Sequence, residues 1–574
     1  MNLKKVTGFR WEPRGEPAVA LVGALAKSLG LSPLTATVLG QRGVRHEEEG
    51  RLFLEGRLDA IPDPFQMKDM TAAVDRLAKA IHKGEPIAVH GDYDVDGITG
   101  TALLVETLRR FGATVEFFIP LRLKDGYGLS GEALQRAAEA GARVAVSVDC
   151  GVSAQQEAKL AEELGLDLII TDHHQVPAEL PRALAVVNPG RPDCPFPEKI
   201  LSGVGVAFML LIALRARLRE QGFFAGRREP DLRRSLDLVA LGTIADIVPL
   251  VGLNRLLVRY GLDLLCQGGR PGIEALKTVT ALDRVSCGDV GFRLAPRLNA
   301  AGRLEDAAQG VALLLETSPE RALEMARQLD RVNGERQAIE QQTLQEAIDM
   351  VDETCLSDRR TIVLASDGWH PGVIGIVASR LVERYHRPAV LVALENGLGK
   401  GSARSIKGFH LYRAMESCRS LLEGFGGHEF AAGLTIRDSS IEDFRAAFEA
   451  LGRETLNEEQ LEPRLFFDGE VQLEELNFEP VDELRRLAPF GAGNPQPVFV
   501  ARGVLVQRPQ VVGNGHIRFI ALQGGYSCPC IGFGLGERVS ALNGRLDLLF
   551  APQINEWQGR RTVQLLVKDF RSAE

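Results

Sequence analysis

Two α/β domains joined by a long helix and followed by a small β-barrel are the fold this sequence predicts. Three observations predict it. From about residue 65 to 265, apolar runs of strand length alternate with helical patterns, as a doubly wound, mostly parallel sheet requires. Over 318–352, apolar residues keep near-helical spacing for longer than one domain needs. From about 463 onward, short alternating runs are separated by Gly and Asn turns, the texture of a small barrel. At 574 residues the chain also exceeds what one core can serve, so several domains are expected.

Residues 1–60 carry Pro13, Pro17 and Pro33 among short helical patterns and are expected to cap the first large domain, 61–315. Within that domain Asp69 to Ile81 has apolar spacing of three and four, an amphipathic helix. It feeds the strand-like run Pro86-Ile87-Ala88-Val89. The proline-rich stretch Pro189 to Pro197 is expected to be a loop. Ser318 then serves as N-cap and Pro319 as first helical residue of the connector, 316–352. Thr361-Ile362-Val363-Leu364-Ala365 opens the second α/β domain, 353–455. The barrel, 460–574, includes runs at Leu465-Phe466-Phe467, Val498-Phe499-Val500, His516 to Leu522 and Thr562 to Val567.

The chemistry is concentrated after the strands. His90-Gly91-Asp92-Tyr93-Asp94-Val95-Asp96-Gly97 places three carboxylates and an imidazole just past the first strand. Charges this close repel unless a cation neutralises them. Oxygen and imidazole donors suit Mn or Mg. Three more strand-like runs end the same way: Val144 to Val148 before Asp149-Cys150-Gly151, Leu166 to Thr171 before Asp172-His173-His174, and Leu238 to Ala245 before Asp246. Singly, an Asp there is usually a helix cap and a His pair is polar surface. Four in succession point to one shared metal site at the carboxyl ends of parallel strands.

The second α/β domain offers substrate contacts. Gly426-Gly427-His428 and Ala431-Ala432-Gly433 are small enough for backbone to approach a ligand. Ser402 and Arg404 alternate along a strand and so share a face. Hydroxyl and guanidinium together suit a terminal phosphate. No GxxxxGK[ST] loop is present, which argues against ATP hydrolysis.

Composition sets the class. Hydrophobic residues make up 45% and charged residues 25%, as in soluble globular proteins. No apolar run has membrane-spanning length, and the start lacks an apolar segment of signal-peptide length. A cytoplasmic protein with no membrane association is expected. The cysteines, at 150, 194, 266, 287, 355, 418, 528 and 530, never show CxxC spacing. Cys528-Pro529-Cys530 is expected to be barrel strand. A net charge of −9 is unusual for a general nucleic-acid binder. Any phosphate track must then be local, with Arg109, Arg110, Arg122, Lys124, Arg404, Lys407, Arg560 and Arg561 as candidates.

The ordered set of motifs resembles the DHH phosphoesterase superfamily, named for a triplet that here is Asp172-His173-His174. Within it the chain looks like the RecJ-type single-strand-specific exonucleases. The form of the first motif carries that likeness. So do Lys124-Asp125-Gly126-Tyr127-Gly128-Leu129, Pro296 to Arg303, and Gly426 to Gly433. The resemblance covers about residues 60–570. It implies a metal-dependent 5′ to 3′ exonuclease acting on single-stranded DNA in repair and recombination. Two divalent ions, Mn2+ or Mg2+, are implied, with Asp94, Asp96, Asp149, His173 and Asp246 as ligands and Asp149 bridging. His90 and Asp92 remain alternatives for a further ligand. His174 would orient a ligand or protonate a leaving group, with Asp172 holding a histidine in place.

Arg303 and Gln337 would join Ser402 and Arg404 at the 5′ phosphate, and His428 would face the metals. The resemblance makes the barrel an OB-fold, with Phe519, Tyr526, Phe533 and Trp557 as stacking candidates. It implies a single-strand-binding protein and a RecQ-type helicase as partners, and a monomer. Alternatives are a DHH phosphodiesterase for cyclic dinucleotides or very short RNA, a pyrophosphatase, and a non-catalytic replication scaffold. The barrel argues against the small-substrate enzymes, and the intact acidic motifs against the scaffold.

Overall fold

The computed structural model describes residues 8–121, 128–353, 358–557 and 559–573. Arg122 and Lys124 to Tyr127, and the side chain of Trp557, lie outside the described residues.

The chain opens with strand β1, Arg10–Pro13, and three short helices, Val19–Leu29, Pro33–Gln41 and Glu47–Glu55. In the first α/β domain, helix Met70–Lys83 buries Ala73, Val74, Leu77 and Ile81 along one stripe. Five strands follow: β2 (Ile87–Gly91), β3 (Val115–Phe118), β4 (Val144–Val148), β5 (Asp167–Thr171) and β6 (Ala185–Val187). They pair in parallel in the order β3-β2-β4-β5-β6. Every residue of β2 and β4 is buried, which is why they read as unbroken apolar runs. From β2 the chain crosses to one side for β3, then returns to the other side for β4. The strand order therefore reverses between β2 and β4, and a crevice opens past their carboxyl ends.

Helices cover both faces of this sheet. Val95–Arg110, Gly203–Glu220 and Leu236–Ala245 share one large core, while Gly131–Glu139 and Gln155–Glu163 pack on the opposite face. The run ending at Asp246 departs from expectation. It is a helix, not a strand, and every residue from Leu236 to Ile244 is buried. Burial on all sides erases the periodicity that separates helix from strand.

The connector Pro319–Glu353 is one helix of 35 residues, about 52 Å long at 1.5 Å per residue. The Ser318 hydroxyl accepts from the Arg321 N–H at 3.3 Å, capping its start. Ala322, Ala326 and Leu329 lie in the first domain's core, whereas Ala347, Ile348 and Val351 lie in the second's. The second domain has strands β7 (Ile362–Ser366), β8 (Ala389–Glu395), β9 (Leu398–Arg404), β10 (Gly424–Gly427) and β11 (Ala431–Arg437). Their order is β10-β11-β9-β8-β7, with only β7 and β8 parallel.

Strand β12, Arg464–Phe467, stands outside the barrel and pairs in parallel with β1. After β13 (Gly469–Glu470), the barrel is built from β14 (Phe499–Val512), β15 (His516–Gln523), β16 (Tyr526–Gly532), β17 (Arg545–Trp557) and β18 (Arg560–Ser572). The ring runs β14-β15-β16-β18-β17 and closes through β14–β17 pairing, the five-stranded topology of an OB-fold. Cys528 and Cys530 are buried in its core, as expected of strand residues.

One expectation about the amino terminus needs correcting. Leu25, Val38, Leu39 and Leu54 share a core with barrel residues Phe519, Leu548 and Phe550, so the N-terminal helices cap the barrel. They also meet the first domain, where the Arg255 guanidinium donates to Phe53 O at 3.3 Å and Arg259 Nη1 donates to Leu54 O at 2.6 Å. Among the described residues no single helix is long and apolar enough to cross a membrane.

Candidate metal centre and substrate cleft

Each acid after β2 is placed by a local backbone rule. Asp94 is the N-cap of helix Val95–Arg110, and its carboxylate accepts from the N–H groups of Asp96 at 3.0 Å and Gly97 at 3.2 Å. Asp96, in the first turn, is buried. It accepts from the N–H groups of Gly203 at 2.6 Å and Val204 at 2.9 Å, at the start of a second helix. A helix N-terminus favours negative charge there. Asp149 directly follows β4 with φ +64, a left-handed turn that Asp tolerates. Gly203 is needed beside it, because a Cβ there would lie 2.5 Å from Asp149 Cβ.

The triplet after β5 closes the arrangement. Asp172 accepts from the backbone N–H groups of His173 and His174 at 2.7 and 3.1 Å, and its carboxylate holds His174 Nδ1 at 2.8 Å. His173 turns the other way. Its Nε2 lies 3.0 Å from Asp149 Oδ1, 3.5 Å from Asp246 Oδ2 and 3.9 Å from Asp96 Oδ2. The ligand atoms of Asp92, Asp94 and Asp149 fall within 4.8 Å of one another, as do those of Asp96, His173 and Asp246, and those of Asp149, His173 and His174. Asp149 and His173 are each shared between groups.

These residues fit divalent cations. Asp149 Oδ1 and His173 Nε2 are buried and close, yet among the described residues neither has a hydrogen-bond partner. A buried polar atom without a partner is costly, and a cation between two such donors satisfies both. His90 Nε2 accepts from the Ser130 N–H at 3.1 Å, whereas Asp92 falls in one group with Asp94 and Asp149.

Electrostatics say the same. Burial, then Asp94, raises Asp96 to about 7. Burial, then Asp96 and Asp94, raises Asp246 to about 8. Burial and all four neighbouring acids push Asp149 well above the carboxylate range. Burial, then His174, lowers His173 to about 4. His174 is the exception: burial opposes its charge, but the bond to Asp172 outweighs that and raises it to about 9.

The signs give a prediction. Acids with raised folded values stabilise the metal-free fold only while protonated. That contribution is lost as pH rises from the ordinary 3.8 to about 7 for Asp96 and about 8 for Asp246. His174, raised from 6.5 to about 9, loses its contribution in the same direction. His173 changes stability only below its ordinary 6.5. Cation binding needs the deprotonated acids and reverses the loss. Saturating Mn2+ is therefore expected to raise the melting temperature more at pH 8 than at pH 6.5. At a hundredfold excess over Kd the stabilisation is about 2.7 kcal/mol. Equal gains at both pH values would contradict this ligand set.

Beside the cluster lies a cleft of about 1200 Å³ between the two α/β domains. Gly151, Val152, Asp172 and His174 line one wall; His410, Tyr412, Gly427 and His428 line the other. Gly427 has φ +143, and a Cβ there would lie 2.5 Å from Ala432 Cα, so only glycine fits this turn. A second cavity, about 460 Å³, is lined by Arg303 and Gln337 together with Asn299, Arg336 and Arg380. Sequence reading missed the last three. Gly375 lets helix Ile374–Tyr385 start against Ser402 and Arg404, since a Cβ there would lie 2.8 Å from Ser402 Oγ and 3.3 Å from Arg404 Nη2. Arg303 Nη1 donates to Gly372 O at 3.1 Å in the same loop.

One expected stacking residue is structural instead, and three of the arginines considered for the phosphate track have partners within the chain. Phe519 is buried in the barrel core, so it cannot stack on a base; Tyr526 and Phe533 are exposed. Arg110 pairs with Glu106 at 2.8 Å, Arg109 donates to Val115 O at 2.9 Å, and Arg561 pairs with Asp482 at 3.4 Å.

The fold and site define a DHH-type metal-dependent phosphoesterase. Residues 86–243 match the DHH family N-terminal domain, 358–454 the DHHA1 domain and 467–569 the RecJ OB domain. The single-stranded-DNA-specific exonuclease RecJ of Bacillus subtilis is 39% identical over 99% of this chain and 71% of its own length. That of Dickeya dadantii is 41% identical over 94% of this chain and 96% of its own. The crystal structure of RecJ from Thermus thermophilus with Mn2+ superposes with a TM-score of 0.84 at 32% identity, covering 98% of this chain and 80% of that one. Its Mg2+ complex gives 0.79 at 31% identity, covering 98% and 79%. The chain belongs to the RecJ family of single-stranded-DNA-specific exonucleases.

Proposed function

We propose that this chain removes nucleotides one at a time from the 5′ end of single-stranded DNA, using two divalent ions. The observation that carries the reading is the convergence of Asp149 and His173 at the sheet's switch point, beside the cleft that His428 enters from the other domain. Asp92, Asp94 and Asp149 would hold one ion. Asp96, His173 and Asp246, with Asp149 between, would hold the other. Such ions supply a nucleophilic water at neutral pH and neutralise charge on the phosphoryl oxygens. His174, kept charged by Asp172, donates a proton toward the leaving oxygen. His428 steadies the scissile phosphate from the opposite wall, where Gly427 lets backbone come close.

The 5′ phosphate is gripped by Ser402 and Arg404 at the start of helix Ile374–Tyr385, a helix N-terminus that itself favours anions. Arg303, Asn299 and Gln337 extend this path along the strand. The exposed Tyr526 and Phe533 of the barrel hold bases further away. The chain acts in the cytoplasm as a monomer in DNA repair and recombination, with a helicase and a single-strand-binding protein preparing its substrate. The RecJ names of its relatives and the Mn2+ and Mg2+ complexes support this reading.

The test uses a 5′-phosphorylated oligonucleotide labelled at its 3′ end, with Mn2+ or Mg2+, beside a blunt duplex and a cyclic dinucleotide. Progressive shortening of the labelled single strand alone is expected. A labelled mononucleotide as the first product would reverse the polarity. Hydrolysis of the cyclic dinucleotide alone would overturn the substrate class.

A further inference from the structure

Asp246 is the most exposed of the acids facing His173, and the backbone after it is unusual. Ile247 has φ +60, a conformation that a β-branched residue strongly disfavours. Its side chain is 74% exposed, so no packing of its own holds it there. Something else must fix the loop from Asp246 to Val251.

That support comes from far along the chain. The Leu250 N–H donates to Ala492 O at 2.7 Å, and the Leu250 side chain is buried. Gly491 packs directly on it, since a Cβ there would lie 2.8 Å from Leu250 Cδ1. Gly493, with φ +71, leaves room for Pro249, whose Cβ would lie 3.0 Å from an added methyl. The supporting segment is itself tightly held. Asn494 Nδ2 donates to Leu487 O at 2.9 Å and Pro489 O at 2.8 Å, and Arg255 Nη1 donates to Leu487 O at 2.8 Å. From below, the buried Asn254 donates to Pro249 O at 3.1 Å and Ile200 O at 2.8 Å. This segment leads straight into β14, the first strand of the barrel.

We propose that Leu487–Asn494 is a positioning element for the metal centre: by clamping Pro249–Val251 it holds the Asp246 carboxylate toward His173. The inference rests on the reading of Asp246 as a metal ligand. Gly491 and Gly493 act through the loop and touch neither metal nor substrate. The barrel is thereby tied mechanically to the first domain's chemistry, and disturbing its entry segment loosens one ligand of the site.

The experiment titrates Mn2+ calorimetrically into four full-length proteins, with the metal-free melting temperature of each measured alongside. They are wild type, Gly491→Ala, Asp246→Asn and Gly503→Ala. The last is a control: Gly503 also has positive φ in the barrel, but an added Cβ meets nothing within 4 Å. Displacing an element that orients a ligand typically costs about tenfold or more in metal affinity. Gly491→Ala is expected to weaken Mn2+ binding by about that factor and Gly503→Ala to leave it unchanged, even where both lower the melting temperature. Adding Leu250→Ala to Gly491→Ala relieves the clash and is expected to restore affinity. Unchanged affinity in Gly491→Ala, with affinity lost in Asp246→Asn, overturns the proposal. Unchanged affinity in Asp246→Asn overturns the ligand assignment beneath it.

Discussion

Replacing Asp149 by Asn is expected to abolish most activity on single-stranded DNA while making the metal-free protein more stable. The two effects share one cause. Asp149 is buried among Asp92, Asp94, Asp96 and Asp246, and its charge is opposed by all of them. Burial and these neighbours hold the carboxyl protonated in the metal-free fold, and Asn needs no such proton uptake, so the metal-free melting temperature rises at neutral pH. The same carboxylate belongs to two of the three groups of ligand atoms and lies 3.0 Å from His173 of the third, so its loss weakens cation binding across the cluster. A bound ion contributes several kcal/mol of charge stabilisation, so at 1.36 kcal/mol per tenfold the loss in kcat/KM is on the order of a thousandfold or more. The melting-temperature gain from Mn2+ should shrink with it. A residue needed only for folding would lower the metal-free melting temperature instead.

Arg404→Ala is expected to remove the preference for a 5′ phosphate. The guanidinium is braced against its own strand, donating to Ala403 O at 2.8 Å and Ser402 Oγ at 3.2 Å. It lies beside the first turn of a helix whose Gly375 permits that approach. Hydrogen bonds to a charged group are worth about 1.5–3 kcal/mol, so kcat/KM on a 5′-phosphorylated strand should fall roughly ten- to a hundredfold. A 5′-hydroxyl strand should be cleaved by the variant about as well as by wild type. Lys at this position keeps the charge but not the two-pronged geometry, and is expected to recover only part of the loss. An unchanged ratio between phosphorylated and hydroxyl substrates would place the 5′ end elsewhere.

Much of the sheet and cluster was legible because parallel strands announce themselves. β2, β4 and β5 are buried apolar runs that end where their acids begin, and local sequence alone places Asp92, Asp94, Asp149 and Asp172 past their carboxyl ends. Asp246 was found for a partly wrong reason, since its run is a helix buried on every side. The N-terminal helices were assigned to the wrong neighbour because amphipathicity shows that a face is covered without showing by what. Arg336 and Arg380 went unnoticed for a related reason. They come from different helices, and only tertiary packing brings them to one cavity with Arg303. Phe519 shows the converse: an aromatic on a barrel strand points in or out according to register, which one residue would reverse.

In the proposed site two cations share Asp149 at the switch point of the first sheet. Electron paramagnetic resonance of the full chain titrated with Mn2+ tests it most directly. A spin-coupled signal that grows as the second equivalent binds, and is absent from Asp149→Asn, is the result expected. A six-line spectrum of isolated Mn2+ that is unaltered by Asp149→Asn would contradict it.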